Sequence, residues 1–276
     1  MSETNTTWVP SVASPDSPGS DGTRPRRNLS VISRKDFIKE FKSDYKSGQH
    51  LTAIGPTQRG KSRLTKEMLK AVISPDRKAI VLIGKPPGRE RTWDDDAAKE
   101  LNLRIIENYP PTFSPRDRKR NGFLLRPRHS LKDPEADEVN LQVQFRAAIV
   151  GNYSRTGKGT ITVVDEGHQV QVDLALKKIC EAPLMRGAPD NAMWTLVQRG
   201  RFVSYLCYDA PEHILIFRDD DRSNQQRYSE ISGVDAREVS EITRGLKTQR
   251  VTTGGTISQC LYIRRSGAEM MIVDID

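Results

Sequence analysis

Residues 55–62 read GPTQRGKS and match the pattern G-x-x-x-x-G-K-[ST] at every fixed position. In such a loop, backbone N–H groups point at phosphate oxygens, and the glycines allow a close approach that a side chain would block. Lys61 is expected to bring its charge to the β- and γ-phosphates, and the Ser62 hydroxyl is expected to reach Mg²⁺. The pattern therefore predicts a site for ATP and Mg²⁺. The predicted binding residues are Gly55, Pro56, Thr57, Gln58, Arg59, Gly60, Lys61 and Ser62.

Two adjacent carboxylates, Asp165 and Glu166, follow the apolar run 160–164. A site that hydrolyses ATP needs an acidic group near Mg²⁺ and a base for the attacking water. We predict that Asp165 holds the metal through a water molecule and that Glu166 is the general base. A nucleotide kinase needs no such base, because its nucleophile is the substrate. Glu166 therefore favours hydrolysis over transfer of phosphate to a small molecule.

A third polar side chain, Gln198, follows the apolar run 192–197. If this run is the next strand of the sheet, Gln198 lies at its tip. ATPases of this architecture place a polar residue there to sense the γ-phosphate, and we predict this role for Gln198. The alternative is a glutamine at a strand end that faces solvent.

The segments that carry these residues alternate between apolar, β-branched runs and amphipathic helical patterns. This alternation predicts an α/β fold with a mainly parallel central sheet, helices on both of its faces, and a C-terminal β-hairpin. The predicted strands are 50–54, 78–83, 104–106, 122–125, 160–164, 192–197 and 213–217, with a hairpin of 257–264 and 269–273. The predicted helices are 33–47, 62–73, 136–153, 174–184, 224–231 and 235–246.

The order of the motifs GPTQRGKS, TITVVDEG and TLVQRGR resembles the FtsK–HerA group of ATPases. The later segments HILIFRD and SGVD are similar to the end of that fold. The resemblance covers residues 48–276 and implies a RecA-like P-loop domain of the ASCE class. It also implies an arginine finger that stabilises transition-state charge at the ATP of a neighbouring subunit. Arg186 is the first candidate, and Arg199 and Arg201 are the alternatives.

Members of that group work as rings, commonly hexamers, that move DNA through a central channel. The resemblance therefore implies a homo-oligomeric ring, a hexamer or a pentamer, that acts on double-stranded DNA. We expect no transmembrane segment, winged-helix tail or nuclease domain, which makes the chain most similar to the genome-packaging ATPases of phages and other viruses. That likeness implies a portal, capsid or membrane-vertex protein as a further partner. It also implies a location in the host cytoplasm or in association with the virion.

DNA contacts are expected from lysine and arginine side chains that follow phosphates. The densest candidate segment is 116–132, in which Asp117 is the lone acid among the basic residues. These basic residues are Arg116, Arg118, Lys119, Arg120, Arg126, Arg128 and Lys132. Arg155 and Lys158 form a second candidate. For both segments the alternative is a solvated loop without a ligand.

Composition is in keeping with these expectations. The formal net charge is +8 and the sequence pI is near 9.4, a balance that favours an anionic partner. The cysteines Cys180, Cys207 and Cys260 are far apart and form no C-x-x-C pair, which argues against a disulfide framework or a structural zinc site. Residues 1–28 are predicted to form a disordered tail, and 29–276 a P-loop ATPase domain with a basic insertion at about 110–133.

Two function classes besides a motor stay open at this point. One is an ATP-dependent switch or scaffold that binds DNA or protein without translocating. The other is a phosphotransferase that acts on a small molecule, which the presence of Glu166 disfavours. The leading hypothesis is an ATP-driven translocase of double-stranded DNA, acting in genome packaging.

Overall fold

The computed structural model describes residues 29–154, 159–251 and 255–275. The predicted tail, 1–28, and the DNA candidates Arg155 and Lys158 lie outside the described residues. The strands are β1 (Ser30–Ile32), β2 (Leu51–Ile54), β3 (Lys78–Leu82), β4 (Leu103–Ile106), β5 (Gly122–Leu125), β6 (Thr160–Val164), β7 (Ala192–Val197), β8 (His213–Phe217), β9 (Thr248–Val251), β10 (Gly255–Ser258), β11 (Cys260–Arg264) and β12 (Glu269–Val273). The helices are α1 (Arg34–Asp44), α2 (Lys61–Val72), α3 (Asp95–Glu100), α4 (Pro134–Tyr153), α5 (Lys177–Arg186), α6 (Leu206–Asp209), α7 (Arg222–Gln225) and α8 (Ala236–Gly245).

The central sheet has the strand order β1-β12-β11-β8-β2-β7-β6-β3-β5-β4. The strands from β8 to β4 in this order all run parallel, while β11 is antiparallel to both β8 and β12. The predicted α/β fold with a mainly parallel sheet is therefore confirmed. Because carboxyl ends of parallel strands meet at one edge, the segments that follow β2, β3, β6, β7 and β8 converge there. We call this the carboxyl edge, and the opposite one the amino edge.

Helices cover both faces of the sheet and bury two apolar clusters against it. Helix α1 begins after its N-cap Ser33, whose side chain accepts a hydrogen bond from the Asp36 amide. Its Phe37 and Phe41 are 1% and 3% exposed. Helix α2 buries Leu64 and Met68, which are four residues apart and lie on one face of the helix. This packing fixes the start of α2, and hence the end of the phosphate-binding loop, against the sheet.

Segment 110–133, predicted as a basic insertion, contributes a strand to the sheet. Strand β5 lies between β3 and β4 and is parallel to both. A 3₁₀ turn, Pro115–Lys119, precedes β5 at the amino edge. Arg126, Arg128 and Lys132 follow β5 at the carboxyl edge. The basic stretch therefore crosses the sheet and presents its cations at opposite edges.

The C-terminal hairpin differs in part from the prediction. Strands β11 and β12 pair antiparallel, with Cys260 opposite Val273, as the sequence predicted. Ile257 and Ser258 do not belong to this hairpin, however, but to β10, which pairs antiparallel with β9 in a separate two-stranded sheet. Strand β1, which the sequence pattern did not predict, adds in parallel to β12. Within the three described ranges, no helix combines the length and the hydropathy that a bilayer crossing requires.

Candidate active site

The loop 55–60 leaves β2 and enters α2 through backbone conformations that require glycine. Gly60 is the N-cap of α2 and has φ of +97°. Gly55 has φ of +146°, and a Cβ there would lie 2.8 Å from the Cβ of Phe217 on β8. Any side chain at Gly55 would therefore clash with the neighbouring strand. The loop ends at the N-terminus of α2, where free N–H groups favour an anion.

Lys61 is the first residue of α2 and is 5% exposed. Its Nζ donates hydrogen bonds to the carbonyl oxygens of Gly55 and Pro56, both at 2.6 Å. Burial lowers the pKa of Lys61 to about 8, against the opposing effect of the Asp165 and Asp219 carboxylates. The loop thus holds the ammonium group beside the helix N-terminus, where the predicted phosphates would lie.

Ser62 and Asp165 are in contact although they follow different strands, β2 and β6, which β7 separates in the sheet. The Ser62 hydroxyl donates to Asp165 Oδ1 at 2.7 Å, and the indole Nε1 of Trp93 donates to the same oxygen at 2.9 Å. Asp165 is 5% exposed. Burial, and then the charge of Glu90, raise the pKa of Asp165 to about 6, while the two hydrogen bonds act to lower it.

This donor set fits Mg²⁺. Hydroxyl and carboxylate oxygens are hard ligands, and Mg²⁺ is usually held by one or two carboxylates together with substrate phosphates and water. No cluster of three or more His, Cys, Asp or Glu side chains suited to a metal occurs among the described residues. A metal here would therefore take Ser62 and Asp165 from the protein and its other ligands from phosphate and water. A divalent cation would also relieve the repulsion between Asp165 and Glu90.

Glu166 accepts two hydrogen bonds on one oxygen. Gln198 Nε2 lies 3.3 Å from Glu166 Oε1, and Lys85 Nζ lies 2.6 Å from the same atom. Lys85 also lies 3.5 Å from Glu90 Oε2. Burial acts to lower the pKa of Lys85, but the bond to Glu166 and the nearby carboxylates outweigh it, so the pKa is raised. Glu166 is thus oriented by partners from the strands on either side of β6.

A cleft of about 530 Å³ joins these groups at the carboxyl edge. Its lining includes Asp165, Gln198 and Glu90, and Thr57 and Lys61 of the phosphate-binding segment. Val251 of β9 and Thr256 and Ile257 of β10 line it as well. The cleft therefore combines an anion-binding loop, a carboxylate pair and an apolar wall, as a nucleoside triphosphate requires.

Comparison with known proteins identifies the fold. No family model and no curated protein sequence matches this chain. The genome packaging NTPase B204 from Sulfolobus turreted icosahedral virus 2, in complex with sulfate, aligns at 14% identity and a TM-score of 0.55, over 84% of this chain and 98% of that one. B204, the DNA-packaging ATPase from Sulfolobus turreted icosahedral virus, aligns at 12% identity and a TM-score of 0.52, over 84% of this chain and 100% of that one. The chain therefore shares the P-loop NTPase fold of these two structures.

The fold places the candidate arginines at two different edges. Arg199 and Arg201 follow β7 at the carboxyl edge, directly after Gln198, and Arg201 lies over the Phe202 ring at 5.4 Å. Arg186 is the last residue of α5, which ends shortly before β7 begins, at the amino edge. Among the described residues, none of the three forms an ion pair with a carboxylate. The assignment of an arginine finger to Arg186, Arg199 or Arg201 stays a prediction.

Three residues of the candidate site were not predicted from the sequence, namely Lys85, Glu90 and Trp93. All three belong to the segment that follows β3. This segment is fixed by Trp93, which is 0% exposed, and by the amides of Thr92 and Trp93, which donate to Glu90 Oε1 at 2.7 and 3.2 Å. Lys85 follows a predicted strand closely, so its position at the carboxyl edge was the signal that could have identified it.

Arg126, which the sequence placed in the DNA-binding candidate 116–132, has a structural role instead. It is 8% exposed, and its guanidinium donates to Asp95 Oδ1 at 2.9 Å and to the Trp93 carbonyl at 2.7 Å. Arg126 is therefore corrected from a DNA candidate to a residue that holds the Trp93 segment beside Asp165.

Proposed function

We propose that this chain is an ATP-hydrolysing motor that translocates double-stranded DNA, and that it packages a viral genome. The observation that carries the proposal is the contact of Ser62 with Asp165, with Glu166 as the next residue. A hydroxyl at the end of a phosphate-binding loop, a carboxylate for the metal and a second carboxylate for water are the parts that ATP hydrolysis needs. The similarity of the fold to two viral packaging ATPases supports the choice of cargo.

The residues of the cleft divide the work of hydrolysis. Loop amides and Lys61 bind the β- and γ-phosphates and balance their charge. Ser62 and Asp165 hold Mg²⁺, which neutralises charge on the phosphate oxygens when it is bound. Glu166 accepts a proton from the water that attacks the γ-phosphorus, and ADP leaves in line. Gln198 contacts Glu166 and lines the cleft, so it is placed to sense the γ-phosphate of a bound nucleotide.

Assembly and partners complete the proposal. The chain acts as a homo-oligomeric ring, a hexamer or a pentamer, in which Arg186, Arg199 or Arg201 of one subunit stabilises charge at the ATP of the next. The ring works in the host cytoplasm or on the virion, where a portal, capsid or membrane-vertex protein receives it. Within the described residues none of these three arginines forms an ion pair with a carboxylate, which supports a role outside their own subunit.

The test is the rate of ATP hydrolysis with and without duplex DNA. We expect Mg²⁺-dependent hydrolysis that duplex DNA accelerates, and we expect the Lys61→Ala variant to lose nucleotide binding or turnover. Full activity of Lys61→Ala would refute the site. Hydrolysis that DNA does not affect would favour the alternative, a nucleotide-dependent switch or scaffold that does not translocate.

A further inference from the structure

The 3₁₀ turn Pro115–Lys119 presents three cations without a carboxylate partner. Arg116, Arg118 and Lys119 are exposed, and none of them forms an ion pair within the described residues. The lone acid of the turn, Asp117, is 1% exposed and points inward. In a 3₁₀ helix, residues three apart lie above one another at about 6 Å, so Arg116 and Lys119 share one face.

Asp117 neutralises other arginines and so leaves these three free. Arg104 Nη1 lies 2.7 Å from Asp117 Oδ2, and Arg120 Nε lies 3.9 Å from Oδ1. These two arginines already have a counter-charge inside the protein. Among the residues that the structure describes, no carboxylate compensates the charges of Arg116, Arg118 and Lys119, which face solvent and make the turn a locally positive surface.

The turn is also held rigidly by hydrogen bonds that do not involve its exposed side chains. The Ser114 amide donates to Asp117 Oδ2 at 2.7 Å, Lys78 Nζ donates to the Asp117 carbonyl at 2.6 Å, and Asn102 Nδ2 donates to the Lys119 carbonyl at 3.0 Å. Because the backbone is fixed before a ligand arrives, binding an anion there costs less ordering entropy than binding it on a loose loop.

The turn lies away from the ATP site. It precedes β5 at the amino edge, whereas Asp165, Glu166 and Gln198 follow their strands at the carboxyl edge. The four residues of β5 span about 13 Å, so a ligand on the turn cannot be the nucleotide in the cleft. The arginine that ends α5, Arg186, is exposed at the same amino edge.

We propose that the turn Pro115–Lys119 is the contact of this chain with the phosphate backbone of duplex DNA, and that DNA passes along the amino edge of the sheet. This inference rests on the proposed function, which supplies duplex DNA as the ligand. It divides the basic stretch 116–132 into two halves, of which the half before β5 binds DNA. Arg128 and Lys132, which are exposed after β5, do not.

The test is a salt titration of duplex DNA binding by the full chain and two variants of equal charge. Arg116→Ala/Lys119→Ala removes two cations from the turn, and Arg128→Ala/Lys132→Ala removes two exposed cations from the other half of the stretch. For the turn variant we expect about tenfold or more weaker binding and a slope of log K against log salt that is shallower by about 2. The Arg128→Ala/Lys132→Ala variant should bind as the unmodified chain does. Thermal unfolding of both variants checks that each is folded.

The outcomes separate this inference from the proposed function. If the unmodified chain binds duplex DNA and the turn variant binds equally well, the inference is wrong and the proposed function stands. The inference is also wrong if Arg128→Ala/Lys132→Ala is the variant that loses binding. If the unmodified chain neither binds duplex DNA nor hydrolyses ATP faster with it, the proposed function fails, and the inference fails with it.

Discussion

Lys85 Nζ lies 2.6 Å from Glu166 Oε1, so the carboxylate predicted to act as general base forms an ion pair with a residue from the adjacent strand segment. Gln198 contacts the same oxygen from the other side. Strands β3 and β7 flank β6 in the sheet, and each therefore supplies one group that orients Glu166. This arrangement makes Lys85 a positioning residue.

Replacing Lys85 tests that role. In Lys85→Met, Glu166 loses one of its orienting partners, so we expect kcat for ATP to fall by about tenfold while KM for ATP changes little. Lys85→Arg keeps the charge and should recover part of the loss, and Lys99→Met removes an exposed lysine of α3 as a control. A rise in KM at unchanged kcat would show that Lys85 binds the nucleotide and does not position Glu166.

The general base is tested by Glu166→Gln. The amide cannot accept the proton of water, so we expect kcat to fall by about 10²- to 10⁴-fold. Affinity for ATP should remain, because the loop amides and Lys61 are unchanged. Glu90→Gln is the matched control, since it removes a nearby carboxylate that we assign no proton transfer. Hydrolysis by Glu166→Gln at the original rate would refute the assignment.

Trp93 is expected to control the affinity of the site for Mg²⁺. Its Nε1 donates to Asp165 Oδ1, and hydrogen-bond partners of metal ligands typically contribute about 10- to 100-fold to metal affinity. In Trp93→Phe we therefore expect the affinity for Mg²⁺ to fall by about 10- to 100-fold. The measurement is the Mg²⁺ concentration that gives half-maximal ATPase activity. Trp194→Phe is the control, because Trp194 is equally buried but donates to the Gln49 carbonyl instead. An equal shift in both variants would mean that general destabilisation is the cause.

The buried His213 and the half-buried His50 predict loss of stability in mild acid. Burial lowers the pKa of His50 and of His213 from 6.5 to about 4. The His50 Nδ1 accepts a hydrogen bond from the Met193 amide, which protonation would break. Between pH 6.5 and about pH 4, the two histidines bind protons in the unfolded chain but not in the folded chain. Their contribution to the free energy of unfolding is therefore fully present above pH 6.5 and is lost as the pH falls towards 4.

The measurement is thermal unfolding at about pH 7 and about pH 5, for which we expect a fall in midpoint on the order of 5–10 °C. His213→Gln should reduce this fall, because one of the two groups is removed. His168→Gln, which replaces a partly exposed histidine, should leave it unchanged. A midpoint that does not depend on pH in this range would contradict the role of the histidines.

The sequence predicted the strand tips of the site well because each tip follows a run with a strong pattern. The segment before Asp165 is β-branched and apolar throughout, and the segment before Gln198 is apolar, as expected of strands buried on both faces. The pairing of Ser62 with Asp165 then follows from parallel strands and a shared edge. Glu90 and Trp93 were missed because their segment has no regular period and tertiary contacts bring it to Asp165, whereas Lys85 was missed although it closely follows a predicted strand.

Helix α4 shows why apolar residues alone do not identify the buried face of a helix. The predicted helix 136–153 contains the apolar residues Val139, Val143, Phe145 and Val150. In the structure these valines are 60%, 53% and 42% exposed, while Phe145 is 0% exposed. Apolar residues occur on more than one side of this helix, so their spacing alone could not decide which side packs against the sheet.

The central claim is that ATP hydrolysis at this site drives movement along DNA, and displacement of a triplex-forming strand from duplex DNA tests it most directly. We expect the full chain to displace the third strand when ATP and Mg²⁺ are present. We expect the Glu166→Gln variant to bind the same DNA without displacing it. DNA-stimulated hydrolysis without any displacement would contradict translocation.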